Sequence, residues 1–186
     1  CAQVQRIVAA LADNGNESAY GLVDWDGNVG ESQRVKVLSP ELRNGLESAI
    51  FDPVIVAAAA IRDNINNCIQ RGIIDEGETY MHLSEWDSDR WQRAVDKVQE
   101  LVIGPKSDTS ENIEVTYLNS MALGIRKEYL HLDDHALEKS LVEAFGFFTP
   151  NNRRAGGLMN HFADTVLRDF PDILPEDITQ TFLRLL

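Results

Sequence analysis

Apolar positions recur along this chain mostly at helical spacing. In the opening AQVQRIVAALADNG, Val4, Ile7, Val8 and Leu11 share one face, which predicts an amphipathic helix stopping near Asn14 and Gly15. Residues 20–25 alternate instead. Asp26-Gly27 is a preferred hairpin turn pair, and 29–38 read as extended, ending in RVKVL. Ser39 and Pro40 then suit a cap and a first helical position, with Leu42, Leu46, Ala49 and Ile50 as the apolar stripe. Asp52-Pro53 repeats the device and opens a longer helix that ends at Gly72, a C′ glycine. Its first half, VIVAAAAI, is apolar all round and predicts a buried central helix. Its second half keeps Ile61, Ile65, Cys68 and Ile69 inward.

Ser84 and Asp87 resemble a capping box, ahead of a helix to Ile103 that turns Trp91, Ala94, Val95, Val98, Leu101 and Val102 inward. Gly104-Pro105 ends it. IEVTYL, with alternating Ile113, Val115 and Tyr117, predicts a short strand that pairs with the 35–38 region. Further helices are expected over 121–129, 134–145 and 150–170 and from Pro175 onward, punctuated by Gly146, Pro171 and Pro175. The expected fold is mainly α: a multi-helix, bundle-like single domain over 1–186 with a minor β-hairpin or small sheet. Its weakest join is 104–112.

Composition narrows the function classes. With 186 residues, 44% hydrophobic and 25% charged, the chain can bury a sizeable core. The formal charge of −13 disfavours sequence-independent binding to nucleic acid or anionic membranes, which relies on clustered Lys and Arg. No apolar run approaches the ~18 residues that a spanning helix needs, so no membrane role is expected. Two cysteines cannot make a disulfide framework, and Cys68 within an apolar pattern reads as a buried thiol, suited to a reducing compartment such as the cytoplasm or a virion interior. Cys1 at the start suggests a lipid-modified cysteine, an N-terminal nucleophile, or a trimmed chain. The immediate amphipathic helix favours the last.

Candidate chemistry is sparse. Asp24, Asp26 and Asn28 alternate as in a calcium loop, but Val29 and Val35 occupy the positions of the obligatory Gly and bidentate Glu, so a hairpin is expected. No P-loop, dinucleotide fingerprint, nucleophile elbow, HExxH or CxxC occurs, and no cofactor is implied. In EYLHLDDH, Glu128, His131 and His135 would share a face on one continuous helix, as the Glu-x-x-His step of di-iron bundles does. His82 or His161 could complete such a metal site, although Asp133 as a helix cap would break the shared face. Trp91 reads as core and Trp86 as a staple or interface residue. In FFTPNNRRAGG, Asn151, Asn152, Arg153 and Arg154 stand at an expected helix start, where cations cost roughly 0.3–1 kcal/mol each unless an anionic partner is present. The terminal helix carries Ile178, Phe182 and Leu185 on one stripe and needs a surface to pack on.

The expected function is a non-enzymatic structural protein that self-associates through helical faces, of viral-coat or intracellular-scaffold type. A local basic groove could admit nucleic acid against the unfavourable average charge. The alternative is a metal-dependent enzyme or metal-binding protein using Glu128, His131 and His135.

Overall fold

The computed structural model describes residues 2–25, 30–148 and 157–185, and helices dominate it, with two separate two-stranded sheets. Helix α1 (Ala2–Asp13) packs on β1 (Gly21–Val23) and β2 (Val35–Val37). Gly21 permits the close approach, because a Cβ there would lie 2.6 Å from Val4 Cγ1. Val8 is the one residue of α1 that is buried, while Ile7 and Leu11, expected to face inward, are 51% and 41% exposed. Three-residue strands are too narrow to cover a whole apolar stripe.

The expected hairpin is not present. β1 and β2 pair in parallel, Gly21 opposite Val35 and Val23 opposite Val37, and parallel strands need a crossover longer than a two-residue turn. Residues 26–29, including Asp26 and Asn28, lie outside the described residues. Nor does Ser39-Pro40 start a helix: Ser39 and Glu41 take positive φ (43° and 65°), and α2 (Leu46–Ile50) begins only after Gly45. The side chains of Ser39 and Arg43 are drawn inward to carboxylates, and that pull shapes the segment in place of a cap.

Helix α3 (Pro53–Asp63) follows the expectation. Asp52 accepts from the Val54 amide at 3.0 Å, Pro53 fills the first turn, and every residue from Pro53 to Ile61 is buried. The single helix expected to reach Gly72 is broken at Asn64 (φ −154°). The Asn64 amide still donates to the Ala60 carbonyl of α3, while its side chain caps α4 (Ile65–Gln70) by accepting from the Asn67 amide. A 3₁₀ stretch (Tyr80–Glu85) precedes α5 (Ser88–Ile103), whose cap is Asp87 alone, accepting from the Arg90 amide at 2.7 Å.

β3 (Asn112–Thr116) pairs antiparallel with β4 (Ala122–Arg126), Asn112 opposite Arg126, and not with the 35–38 region. β4 occupies residues expected to be helical. Met121, Leu123 and Ile125 are buried at alternate positions, a period-2 pattern with Gly124 inside it, and Ser120 at φ 65° closes the turn. Side chains of α5 finish the outer edge of β4: Gln92 accepts from Gly124 N (2.8 Å) and donates to Gly124 O (3.0 Å), and Gln99 accepts from Arg126 N (2.6 Å). Next come α6 (Lys127–Leu130), α7 (Asp134–Ala144), α8 (Gly157–Phe162) running into a π-helical turn (Ala163–Leu167), and α9 (Glu176–Leu183). Among the described residues the fold is therefore mainly α with minor sheets. The main core surrounds α3 and α5 and draws residues from both sides of 104–112. Val8, Val23, Val35 and Val37 form a separate small cluster, and Leu38, Ala49 and Ile178 a third.

Candidate functional site

The densest buried chemistry centres on Arg43, which is fully enclosed. Its Nη2 donates to Asp52 Oδ2 at 2.7 Å, its Nε to Asp177 Oδ2 at 3.2 Å, and its Nη1 to the Ser48 carbonyl at 3.2 Å. Asp52 Oδ1 also accepts from the Tyr117 hydroxyl at 2.9 Å, and Ser39 donates its hydroxyl to Asp177. One guanidinium thus joins α2, the start of α3 and the first turn of α9, and Asp52 links it to Tyr117 beyond β3. Burial pushes the Asp52 carboxyl up, against Arg43, the Val54 amide and Tyr117, all of which favour its anion. Burial opposes the charge on Arg43, but Asp52 and Asp177 outweigh it and hold the guanidinium protonated. Arg43, Asp52 and Tyr117 are enclosed, and through Asp177 the network positions α9. The sequence signal for it was slight: Asp52 shows as a cap, and nothing local to Arg43 tells of a partner 134 residues away.

What the network positions is a face with apolar side chains in solvent. Ile178 packs on Leu38 and Ala49, but Phe182 and Leu183 are 48% and 56% exposed, so the terminal stripe is only partly covered. Arg184 pairs with Glu31, and Gln5 of α1 donates to the Gly30 carbonyl at 2.9 Å. One side of α1 and the C-terminal end of α9 therefore each reach the 30–31 segment.

A second cluster is acidic. The carboxylates of Asp24 and Asp134 both press on Gly45, where a Cβ would lie 3.0 Å and 2.8 Å from their oxygens, and Asp134 shares a hydrogen bond with Glu47. Burial, then Glu47, Asp24 and Asp133, push the Asp134 carboxyl up to about 6. A folded pKa above the unfolded value means that the native state holds the extra proton, so this contribution to stability is lost as pH rises from about 4 to about 6. Asp134→Asn is expected to flatten that loss and to raise stability at pH 7 by about 1 kcal/mol. The figure is well below the full conversion because the carboxyl is partly exposed and screened. Urea unfolding of parent and variant at pH 5 and pH 7 checks it. Equal pH dependence in both would remove Asp134 from the account. The comparison with parent is essential, because hydrogen bonds that outweigh burial shift Glu31 down, from the Val37 amide and Arg184, and Glu78 down, from Arg90, and such groups lose stability in the opposite direction, as pH falls.

The expected metal residues are not brought to one point. α6 ends at Leu130 and Asp133 caps α7 through the His135 and Ala136 amides, which breaks the shared face. Glu128 accepts from Ser110 and from Arg126. These bonds overcome the upward push of burial and lower it to about 2. His131 Nε2 lies 3.2 Å from the Glu41 carbonyl and its ring 5.7 Å from Trp25, while His135 is exposed on α7. His82 Nδ1 accepts from the Thr79 amide, and His161 lies 2.7 Å from Asp63, where it ties α8 to the end of α3. Among the described residues no group of three or more His, Cys, Asp or Glu could hold a metal ion. Cys68 is buried, which pushes its thiol up to about 12.

Trp91 is core, as expected. Trp86 stacks edge-on against it at 5.0 Å, carries the Arg90 guanidinium over its ring at 4.0 Å and donates to Glu78, so both rings are engaged internally. Asn151, Asn152, Arg153 and Arg154 lie outside the described residues. No described helix is long and apolar enough to cross a membrane. No protein-family model, curated protein or solved structure matches the chain.

Proposed function

We propose that this chain is a structural protein that assembles with copies of itself, in the manner of coat and scaffold subunits. The observation that carries the reading is the apolar side chains left in solvent on two helices bordering one segment: Ile7 and Leu11 on α1, Phe182 and Leu183 on α9. Scattered exposed apolar residues are ordinary, but these occupy the outward faces of amphipathic helices whose inward faces are already seated. The covering surface is another subunit, because a chain that repeats one patch can close it by symmetry. With a net charge of −13, such an assembly would take up nucleic acid only at a local basic groove.

The native mass of the parent, measured by sedimentation across a concentration series, should exceed that of one chain. Ile7→Lys and Phe182→Lys should each shift it toward the monomer while leaving the thermal melt of the dilute protein in place. A parent that stays monomeric throughout ends the proposal. The ultraviolet absorbance ratio of the same particles reports any bound nucleic acid.

A further inference from the structure

The end of β1 meets the body of the molecule through a carboxylate. Asp24, the residue after Val23, accepts from the Leu46 amide at 3.2 Å, which seats it at the start of α2. Asp134, in the first turn of α7, closes on the same stretch of backbone. A Cβ on Gly45 would lie 3.0 Å from Asp24 Oδ1 and 2.8 Å from Asp134 Oδ2, so the missing side chain lets two like charges share one small space. Asp134 Oδ1 is buried with no donor. The hydrogen bond between Asp134 and Glu47, in the first turn of α2, exists only while one of the two carries a proton, because carboxylates have none to donate.

The other charges around this point are identifiable. Asp133 adds a fourth carboxylate from the α7 cap, where it accepts from the His135 and Ala136 amides. His131 stands beside the β1 end, its ring 5.7 Å from Trp25 and its Nε2 3.2 Å from the Glu41 carbonyl, and exposed His135 follows Asp134 on α7. Glu47 and Asp134 sit on helices that pack on each other. Asp24 belongs to a lightly held unit. α1, β1 and β2 share the four-valine cluster apart from the main core, and their other seams with the body include Leu22 against the Leu38 cluster and the Glu31–Arg184 pair. Asp24 is therefore the charge that can move away.

We propose that Asp24, Glu47 and Asp134 form a proton-operated latch. A shared proton holds the end of β1 on α2 and α7, and its loss lets the α1–β1–β2 unit open more readily. Burial and the neighbouring carboxylates push Asp134 up to about 6, so the closed form holds the proton more tightly than the open form. Closure is favoured in acid, and opening increases as pH rises through about 6. If relief from Asp24 is worth about half a pKa unit, the opening equilibrium changes about threefold. The latch acts within one subunit and does not rest on assembly.

The test is amide exchange on the dilute full chain at pH 5 and pH 7.5, with intrinsic exchange rates divided out. Gly21 N and Leu38 N report on the unit, since they donate to Arg34 O and Val23 O across the parallel pair, both at 2.8 Å. Their protection should fall about two- to threefold between the two pH values. Asp24→Asn keeps an oxygen for the Leu46 amide but removes the repelled charge, so it should abolish most of the fall. Asp134→Asn leaves the Asp133 cap in place and should do the same. His131→Gln should leave the fall intact. Three results would overturn the latch: equal protection of the parent at both pH values, a fall that survives in both Asn variants, or one that disappears with His131→Gln.

Discussion

Arg43→Ala is expected to destabilise the fold by about 3–5 kcal/mol, the usual cost of leaving a buried charge without its partner. Asp52 is fully buried, and with the guanidinium gone it keeps only the Val54 amide and the Tyr117 hydroxyl. The carboxyl would then take up a proton at neutral pH or carry an uncompensated charge. The Ser48 carbonyl would lose a donor as well. Urea unfolding measures the loss, and a double-mutant cycle with Asp177→Asn divides it. Asp177 is partly exposed, so the Arg43–Asp177 coupling should be the smaller share and the Arg43–Asp52 coupling the larger. A loss below about 1 kcal/mol would mean that water or a neighbouring group replaces the guanidinium, and that the network does not hold α9.

Ile61→Ala should cost about 2–5 kcal/mol, as large-to-small changes in a closed core do. Ile61 is 1% exposed and ends an unbroken buried run in which four alanines, 57 to 60, already bring neighbouring elements close to the α3 backbone. Such a helix has little slack, so the space left by the deleted atoms would not be filled by collapse. Ile7→Ala is the contrasting measurement. At 51% exposure it should change the stability of the dilute monomer by less than about 0.5 kcal/mol. If both substitutions cost the same, α3 is not the centre of the core.

The helical plan was legible at three places where apolar spacing and a cap agreed. Asp52-Pro53 and VIVAAAAI marked α3, Asp87 and the Trp91 stripe marked α5, and Asp133 marked the start of α7. Local signals failed where tertiary partners claimed the same residues. Ser39 has the chemistry of an N-cap, yet its hydroxyl goes to Asp177, 138 positions away. Asn64 interrupts a helical run because its side chain caps the next one. MALGIRKEY can be written at helical or strand spacing, and the choice fell to pairing with β3 and the glutamines of α5. Glu128, His131 and His135 are close in sequence, but a helix break between them is enough to scatter them. The Arg43 network was hidden for the opposite reason: its members are far apart and each has an ordinary local role.

The small valine cluster beneath α1 has a consequence for how the molecule comes apart. Val8, Val23, Val35 and Val37 share no cluster with the main core, and the parallel pair they support is three residues long. A unit with so few buried groups opens at a fraction of the global unfolding free energy, so α1 with β1 and β2 is expected to open before the main core does. If subunits meet on α1 and α9, association binds only the closed form of that block and draws its equilibrium shut by mass action. Assembly and local order would then rise together with concentration, and a dilute subunit would be the less protected one.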